Sequence, residues 1–232
     1  MLNKFLNILF PETCPVCSKR AEDHATAPIC SECWKTIGPY AGPICLRCGM
    51  PLVSDSATFC GACLEREPAF EYARSFGLYD GVLKKAINHL KYYGMRRLAG
   101  PLAEMIIGMQ LPQADAVIPV PLHRSRHRQR EFNQSALVAR HLARSLNADL
   151  IIRSLTKIRD TSPQVGLRYK ERIKNVRNAF RVGDEGNISG KKIILVDDVV
   201  TTGSTIRECA KVLKMAGASN VYVVSLAHGV SD

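Results

Sequence analysis

A chain of 232 residues that is 46% hydrophobic and 23% charged is long enough for one sizeable α/β core plus a small appendage. No run approaches the roughly 20 apolar residues that cross a bilayer, which excludes a membrane-spanning helix. The net charge of +11 points to an anionic partner and carries no information about the fold.

The first ten residues, MLNKFLNILF, place Leu2, Phe5, Leu6 and Leu9 at helical spacing. The stretch is too short for a secretory apolar region and runs into a Cys-x-x-Cys instead of a small-residue cleavage site. We read it as a short amphipathic helix packing on its own protein, in preference to a membrane anchor, and expect a cytoplasmic protein.

Eight of the nine cysteines follow in four Cys-x-x-Cys pairs, Cys14/Cys17, Cys30/Cys33, Cys45/Cys48 and Cys60/Cys63. Two residues between ligands let a tight turn aim both sulfurs at one point, so two pairs enclose a tetrahedral Zn²⁺ and four make two sites. A disulfide framework would need an oxidising compartment and an export signal, and a redox Cys-x-x-Cys usually occurs once, at a helix start. Either sequential or cross-braced pairing satisfies the count. Sequential pairing is favoured, with Cys14, Cys17, Cys30 and Cys33 on one ion and Cys45, Cys48, Cys60 and Cys63 on the other. No ligand is left over to open a coordination position, so both zincs read as structural. Eight thiolates and two Zn²⁺ would lower the net charge from +11 to +7, still basic. These residues set the expected domains: 1–66, a short helix plus a double zinc ribbon, and 67–232, an α/β domain.

Residues 64–80 read as the crossing between the two. From Val82 the apolar residues Leu83, Ala86, Ile87 and Leu90 fall on one helical face, and a second helix is expected from about Leu98 to Met109. Lys84, Lys85, Lys91, Arg96 and Arg97 decorate these helices as surface charges that together could face an anion. Ala114–His123 reads as a buried strand stopped by Pro119 and Pro121, which lack N–H donors, and it leads into a rigid loop. Arg124, Arg126, Arg128 and Arg130, with His123 and His127, form the densest basic cluster. It is either a solvated charged loop or a contact for a phosphate-rich partner such as single-stranded DNA. Asn133 reads as the N-cap of a helix ending near Leu146, and Leu150–Ile152 as a short strand. The cationic segment from Arg159 to Arg177 reads as a cover over an anionic ligand.

The sequence KKIILVDDVVTTGST, Lys191–Thr205, carries the clearest chemistry. Ile193–Val196 are a buried strand, and α/β sheets bind ligands beyond the carboxyl ends of such strands. Asp197 and Asp198 follow, then Val200, Thr201, Thr202, Gly203, Ser204 and Thr205, a hydroxyl-rich loop opening a helix whose N–H groups suit a phosphate. Paired carboxylates beside a phosphate cradle call for sugar hydroxyls or a divalent cation. A solvated acidic turn and a Walker B strand are the alternatives, but GNISGKK at Gly186–Lys192 lacks Walker A spacing. Ile206, Cys209, Ala210 and Leu213 make a buried stripe, Gly217 ends that helix, and Val221–Gly229 is the last strand.

Four apolar residues, two acids, two apolar residues and T-T-G-S-T resemble the phosphoribosyl pyrophosphate (PRPP) motif of type I phosphoribosyltransferases. The whole chain resembles the ComF/GntX family of bacterial DNA-uptake and DNA-utilisation proteins. The resemblance rests on the paired cysteines, Val117–Arg124 (VIPVPLHR), Arg130–Gln134 (REFNQ) and the spaced set Arg159, Thr161, Gln164, Leu167, Arg172, Asn175 and Phe180. It departs at Glu131, where the family usually has glycine. The resemblance implies a type I phosphoribosyltransferase fold, a mostly parallel sheet flanked by helices. It implies ribose hydroxyls on Asp197 and Asp198, a 5′-phosphate on Val200–Thr205, and Mg²⁺-pyrophosphate on Pro121, Leu122, His123 and Arg124. Arg159, Gln164, Arg172 and Asn175 would belong to the cover. The zinc domain, the cationic segments and the resemblance favour a competence factor that binds PRPP or a phosphoribosyl group and single-stranded DNA, with a PRPP-dependent salvage enzyme and an adaptor for a helicase or recombination mediator as the alternatives. Nothing in the residues selects an acceptor.

Overall fold

Burial alternates along the strand that carries the acids. Ile193 and Leu195 enter one apolar cluster while Ile194 and Val196 enter the other, so both faces of the sheet are covered. The computed structural model describes residues 12–161 and 169–229, so the expected N-terminal helix, Gln164 and Leu167 lie outside the described residues. The strands are β1 (Tyr72–Leu78), β2 (Ala116–Pro119), β3 (Asp149–Leu150), β4 (Leu155–Lys157), β5 (Phe180–Val182), β6 (Lys192–Val200) and β7 (Asn220–His228). Five of them form an all-parallel sheet in the order β1-β7-β6-β2-β3, while β4 and β5 pair antiparallel as a separate ribbon. The chain leaves β6 for β7 on one side and β2 for β3 on the other, which makes the β6/β2 boundary the topological switch point.

The helices are α1 (Ser31–Lys35), α2 (Gly61–Glu65), α3 (Gly81–Tyr92), α4 (Ala99–Ile107), α5 (Arg124–Arg130), α6 (Gln134–Leu146), α7 (Tyr169–Val176) and α8 (Ser204–Met215). Buried residues of α3, α4 and α6 cover one face of the sheet, and those of α8 with β4 and β5 cover the other.

Three sequence expectations change. Residues 64–80 are not a plain crossing, because they contain the edge strand β1. Only Ala73 and Gly77 of that strand are buried, and Arg74 and Ser75 interrupt any apolar run. The central strand runs through Val200, so both aspartates lie within it rather than after it. The run from Arg124 to Arg130 is a short helix, not a loop. Arginine is a good helix former, and no apolar stripe was there to announce the turn.

The cysteine segment is a tandem of two similar units. Thr13 bridges Arg20 in the first and Ile44 bridges Pro51 in the second, each closing a turn around a Cys-x-x-Cys pair. The residue after each pair has a left-handed backbone, Ser18 at φ 60° and Gly49 at φ 71°. A Cβ on Gly49 would stand 2.5 Å from the Ala73 carbonyl oxygen, so only glycine fits there. Cys30 and Cys60 occupy the N-caps of α1 and α2.

This tandem straddles the sheet edge. Cys14, Ile29 and Cys30 pack with Leu83 and Ile87 on one face, while Cys45, Cys48, Cys60 and Cys63 pack with Phe70 and Ile118 on the other. The Ala73 N–H donates to the Arg47 carbonyl at 2.8 Å, and the Tyr40 N–H donates to the Phe76 carbonyl at 2.9 Å. These bonds cap the outer edge of β1, which would otherwise be open to strand addition.

Candidate functional site

The chemistry gathers at the carboxyl end of β6. Lys91 Nζ lies 2.7 Å from Asp198 Oδ1, and both side chains are almost fully buried. Gln134 Nε2 donates to the second oxygen of Asp198, and Ser135 Oγ donates to Asp197 Oδ1 at 3.3 Å. Gln134 and Ser135 are held there by Asn133, the N-cap of α6. Its Oδ1 accepts from the Ser135 N–H at 3.0 Å, and its Nδ2 donates to the Val120 carbonyl at 2.9 Å. Asn133 is the N-cap its position predicted, and it also ties the end of β2 to the helix that meets the acids.

The two carboxylates differ in electrostatic setting. Burial works against the ammonium of Lys91, but the charge and hydrogen bond of Asp198, with Tyr79 and Asp197, together outweigh it and raise the pKa, so Lys91 stays cationic. Burial, and next the charge of Asp198, push Asp197 up to about 7, against the Asp198 N–H, Lys91 and Ser135. Lys91 faces Asp198, while Asp197, raised to about 7, carries a charge that a ligand can adjust near neutral pH.

Past β6 the chain turns through Thr201 and Thr202 to Gly203, whose left-handed backbone (φ 72°, ψ 4°) forms the N-cap of the twelve-residue α8. Thr202 Oγ1 donates to Ser204 Oγ at 3.1 Å, and the Gly229 N–H donates to the Val200 carbonyl at 2.7 Å. A Cβ on Gly229 would stand 2.6 Å from Thr201 Cγ2, so the end of β7 closes tightly on the loop. The loop can offer hydroxyls and helix N–H groups to an oxyanion beside the acids.

The loop from Pro121 to His123 leaves the sheet next to Asp197, since the Val120 N–H donates to the Val196 carbonyl at 2.8 Å. Arg124 and Arg128 are exposed on α5. Arg126 donates to the Thr161 carbonyl at 3.4 Å, while Ser125 Oγ donates to Asp160 at 2.7 Å and contacts His123 Nδ1 at 2.9 Å. The helix is thus docked on the segment after β4. Arg159 donates to the carbonyls of Asn175 and Arg177 at 2.9 and 2.6 Å, closing the end of α7. Its guanidinium serves the fold of the expected cover, and Arg172 lies on α7. Lys157, whose pKa is lowered by burial and next by Arg126, bonds Thr161 at 2.7 Å.

Lys84, Lys85 and Arg97, three of the five basic residues of α3 and the following turn, are turned to partners of their own. Lys85 Nζ donates to the Pro15 carbonyl at 2.5 Å, Arg97 donates to the Ala27 carbonyl at 3.0 Å and pairs with Glu12, and Lys84 lies over the Tyr79 ring. Lys91, read from the sequence as one of these surface charges, is instead buried against Asp198. Its position four residues after Ile87 continues the buried face, and a lysine there needs a buried partner. Gln134 and Ser135 sit in sequence beside the N-cap, with nothing to say which carboxylate they meet.

The sulfurs form two groups, Cys14, Cys17, Cys30 and Cys33, and Cys45, Cys48, Cys60 and Cys63, each within 4.8 Å of one another. This is the sequential pairing. Zn–S bonds of about 2.3 Å place tetrahedral sulfurs ~3.8 Å apart. The Cys17–Cys30 and Cys48–Cys60 separations are both 3.6 Å. Burial opposes ionisation of Cys14 and Cys45, but backbone N–H groups outweigh it, bringing Cys14 down to about 6 and Cys45 to about 7. The donor sets fit two structural Zn²⁺. Cys209 is fully buried in the core, with its pKa raised by burial.

No helix among the described residues is long and apolar enough to cross a membrane. A double zinc ribbon domain family model matches residues 5–64, and a phosphoribosyl transferase domain family model matches residues 133–231. The "DNA utilization protein YhgH" of Salmonella typhimurium is 35% identical over 205 residues, covering 84% of this chain and 88% of that protein. The "Competence protein F" of Haemophilus influenzae is 33% identical over 208 residues, covering 86% and 90%. Among solved structures, a glutamine PRPP amidotransferase from B. subtilis superposes with a TM-score of 0.41 at 22% identity, covering 56% of this chain and 26% of that one.

Proposed function

The chain belongs to the ComF family, and from that premise we propose that it binds PRPP or another phosphoribosyl group at the end of β6 and serves in the uptake and use of DNA. One observation carries the reading. A carboxylate pair, half neutralised by a buried lysine, stands beside a glycine-nicked loop that opens a long helix. Asp197 and Asp198 would accept from the ribose hydroxyls, and Val200–Thr205 would hold the 5′-phosphate. Pro121–Arg124 would face a pyrophosphate, with Mg²⁺ entering on that ligand. Arg159, Gln164, Arg172 and Asn175 would belong to the cover. Arg124, Arg126, Arg128 and Arg130 would contact single-stranded DNA, weakly and in a salt-dependent manner, with a slope of about −0.7 per phosphate contact. The proposed compartment is the cytoplasm, where cysteines remain available as zinc ligands.

Calorimetry with PRPP plus Mg²⁺, ribose 5-phosphate, inorganic phosphate and single-stranded DNA tests this. Gly203→Val should abolish ribose 5-phosphate binding, and Asp198→Asn should weaken ribose 5-phosphate more than inorganic phosphate. Unchanged affinities would move the ligand elsewhere. Turnover of PRPP with a nucleobase acceptor would return the protein to nucleotide salvage, and binding of neither PRPP nor DNA would leave the adaptor role.

A further inference from the structure

Tyr92 and Tyr93 are 63% and 69% exposed at the end of α3, just before Gly94 turns the chain at φ 66°. Beside Tyr92 opens a cavity of about 630 Å³ whose lining includes Lys91, Arg96, Arg130, Glu131 and Phe132. The Arg130 guanidinium lies 4.9 Å from the centre of the Tyr92 ring, and that of Arg96 lies 4.8 Å from the centre of the Phe132 ring. Arg96 also reaches Glu131 at 3.4 Å. Lys91, on the wall of this cavity, is the residue paired with Asp198, so the cavity and the carboxylate pair share one side chain.

Three cations face one carboxylate here, and Lys91 is already neutralised by Asp198. The remaining balance favours an anion, while the exposed Tyr92 ring beside the Arg130 guanidinium offers a platform for a flat ring, a combination that suits a nucleotide. We propose that this cavity is a nucleotide subsite, in which a base stacks on Tyr92 and its phosphate meets Arg96 and Arg130. Glu131 adds an acceptor for the N–H groups of a base. The inference rests on the nucleic-acid part of the proposed function and names a place for it away from the exposed arginines at the start of α5. The ligand is either a free nucleotide or one unit of a single strand, since both present the same base and phosphate.

The test compares a dye-labelled oligothymidylate with an abasic strand of equal length by fluorescence anisotropy, with thymidine monophosphate as a third ligand. The wild-type protein should prefer the base-bearing strand by at least about fivefold, the weaker end of what one stacked base contributes. Tyr92→Ala should remove the preference, Tyr92→Phe should keep it, and Arg130→Gln should weaken both strands. Ribose 5-phosphate affinity should be unchanged in Tyr92→Ala, which also serves as a check on folding. Equal affinity for the two strands, or a preference that survives Tyr92→Ala, would overturn the subsite while leaving the DNA reading intact. Tyr92-dependent binding of the monophosphate alone would support the subsite with a free nucleotide as occupant. Failure of all three ligands would remove both readings.

Discussion

The guanidinium of Arg207 stands 2.9 Å from the sulfur of Cys63, and its other terminal nitrogen donates to the Arg66 carbonyl at 2.8 Å. Arg207 belongs to the first turn of α8, and its N–H donates to the Gly203 carbonyl at 2.9 Å. One side chain therefore joins the second cysteine tetrad to the loop beside the carboxylates. Partners of metal ligands typically change metal affinity by about 10–100-fold when removed. Arg207→Ala should weaken the second zinc by that order and leave the first unchanged, read as a biphasic release in competition with a chelating dye. Equal weakening of both sites would contradict the link.

Seven of the eight tetrad cysteines, all but the exposed Cys17, belong to or pack against the two clusters that cover the sheet, so metal loss should be felt beyond the ribbon. Elemental analysis of the wild-type protein should give about two zincs per chain. Cys33→Ser should lower that to about one and lower the melting temperature of the whole protein, because metal affinity is folding free energy. Cys209→Ser should leave the zinc content untouched. An unchanged thermal transition in Cys33→Ser would mean that the ribbon folds apart from the sheet.

Removing one member of a buried ion pair strands the other charge. Lys91→Met should therefore cost roughly 3–5 kcal/mol by denaturant unfolding. Adding Asp198→Asn should recover most of that loss, since the orphaned carboxylate is gone. A double variant no more stable than Lys91→Met would show that the two side chains act independently.

The raised Asp197 gives a signed pH effect. Its ordinary value is 3.8 and its folded value about 7, so the folded chain keeps a proton that the unfolded chain has released. The stability this contributes is complete below about pH 4, is lost as pH rises toward 7 and is level beyond. Asp197→Asn never carries the charge, so its stability relative to the wild type should increase across that window. Melting temperatures at about pH 5 and about pH 8 check this, with the larger advantage expected at the higher pH. Ribose hydroxyls would favour the ionised form, so ribose 5-phosphate should release protons on binding near pH 7, measurable by calorimetry in buffers of different ionisation enthalpy.

How much was legible depended on whether a residue's task was local. Cysteine pairs announce themselves by spacing, and the apolar run before Asp197 announces a buried strand. Asn133 was legible as a cap because an N-cap acts on its own next turn. The edge strand β1 was not, since one of its edges is finished by Arg47 and Tyr40 rather than by another strand, so its own side chains need not be uniformly apolar. Lys91 left a partial trace in the helical period, but its partner is more than a hundred residues away and no pattern names it. The bond from Arg207 to Cys63 spans 144 residues and leaves no trace in either stretch.

The pairing of β1 with β7 also sets a timetable for synthesis. Ser75 and Ser225 share a hydrogen bond of 2.7 Å across 150 positions of chain, and β7 is the strand that connects β1 to the rest of the sheet. At about 5–20 residues per second, β1 waits roughly 8 to 30 s for that partner during translation. Through this interval the cysteine tandem can already be metallated and can shield the outer edge of β1, while the inner edge stays bare. A chain cut short before Asn220 would hold a sheet in two pieces, and it should be far more sensitive to protease than one that includes β7 through His228.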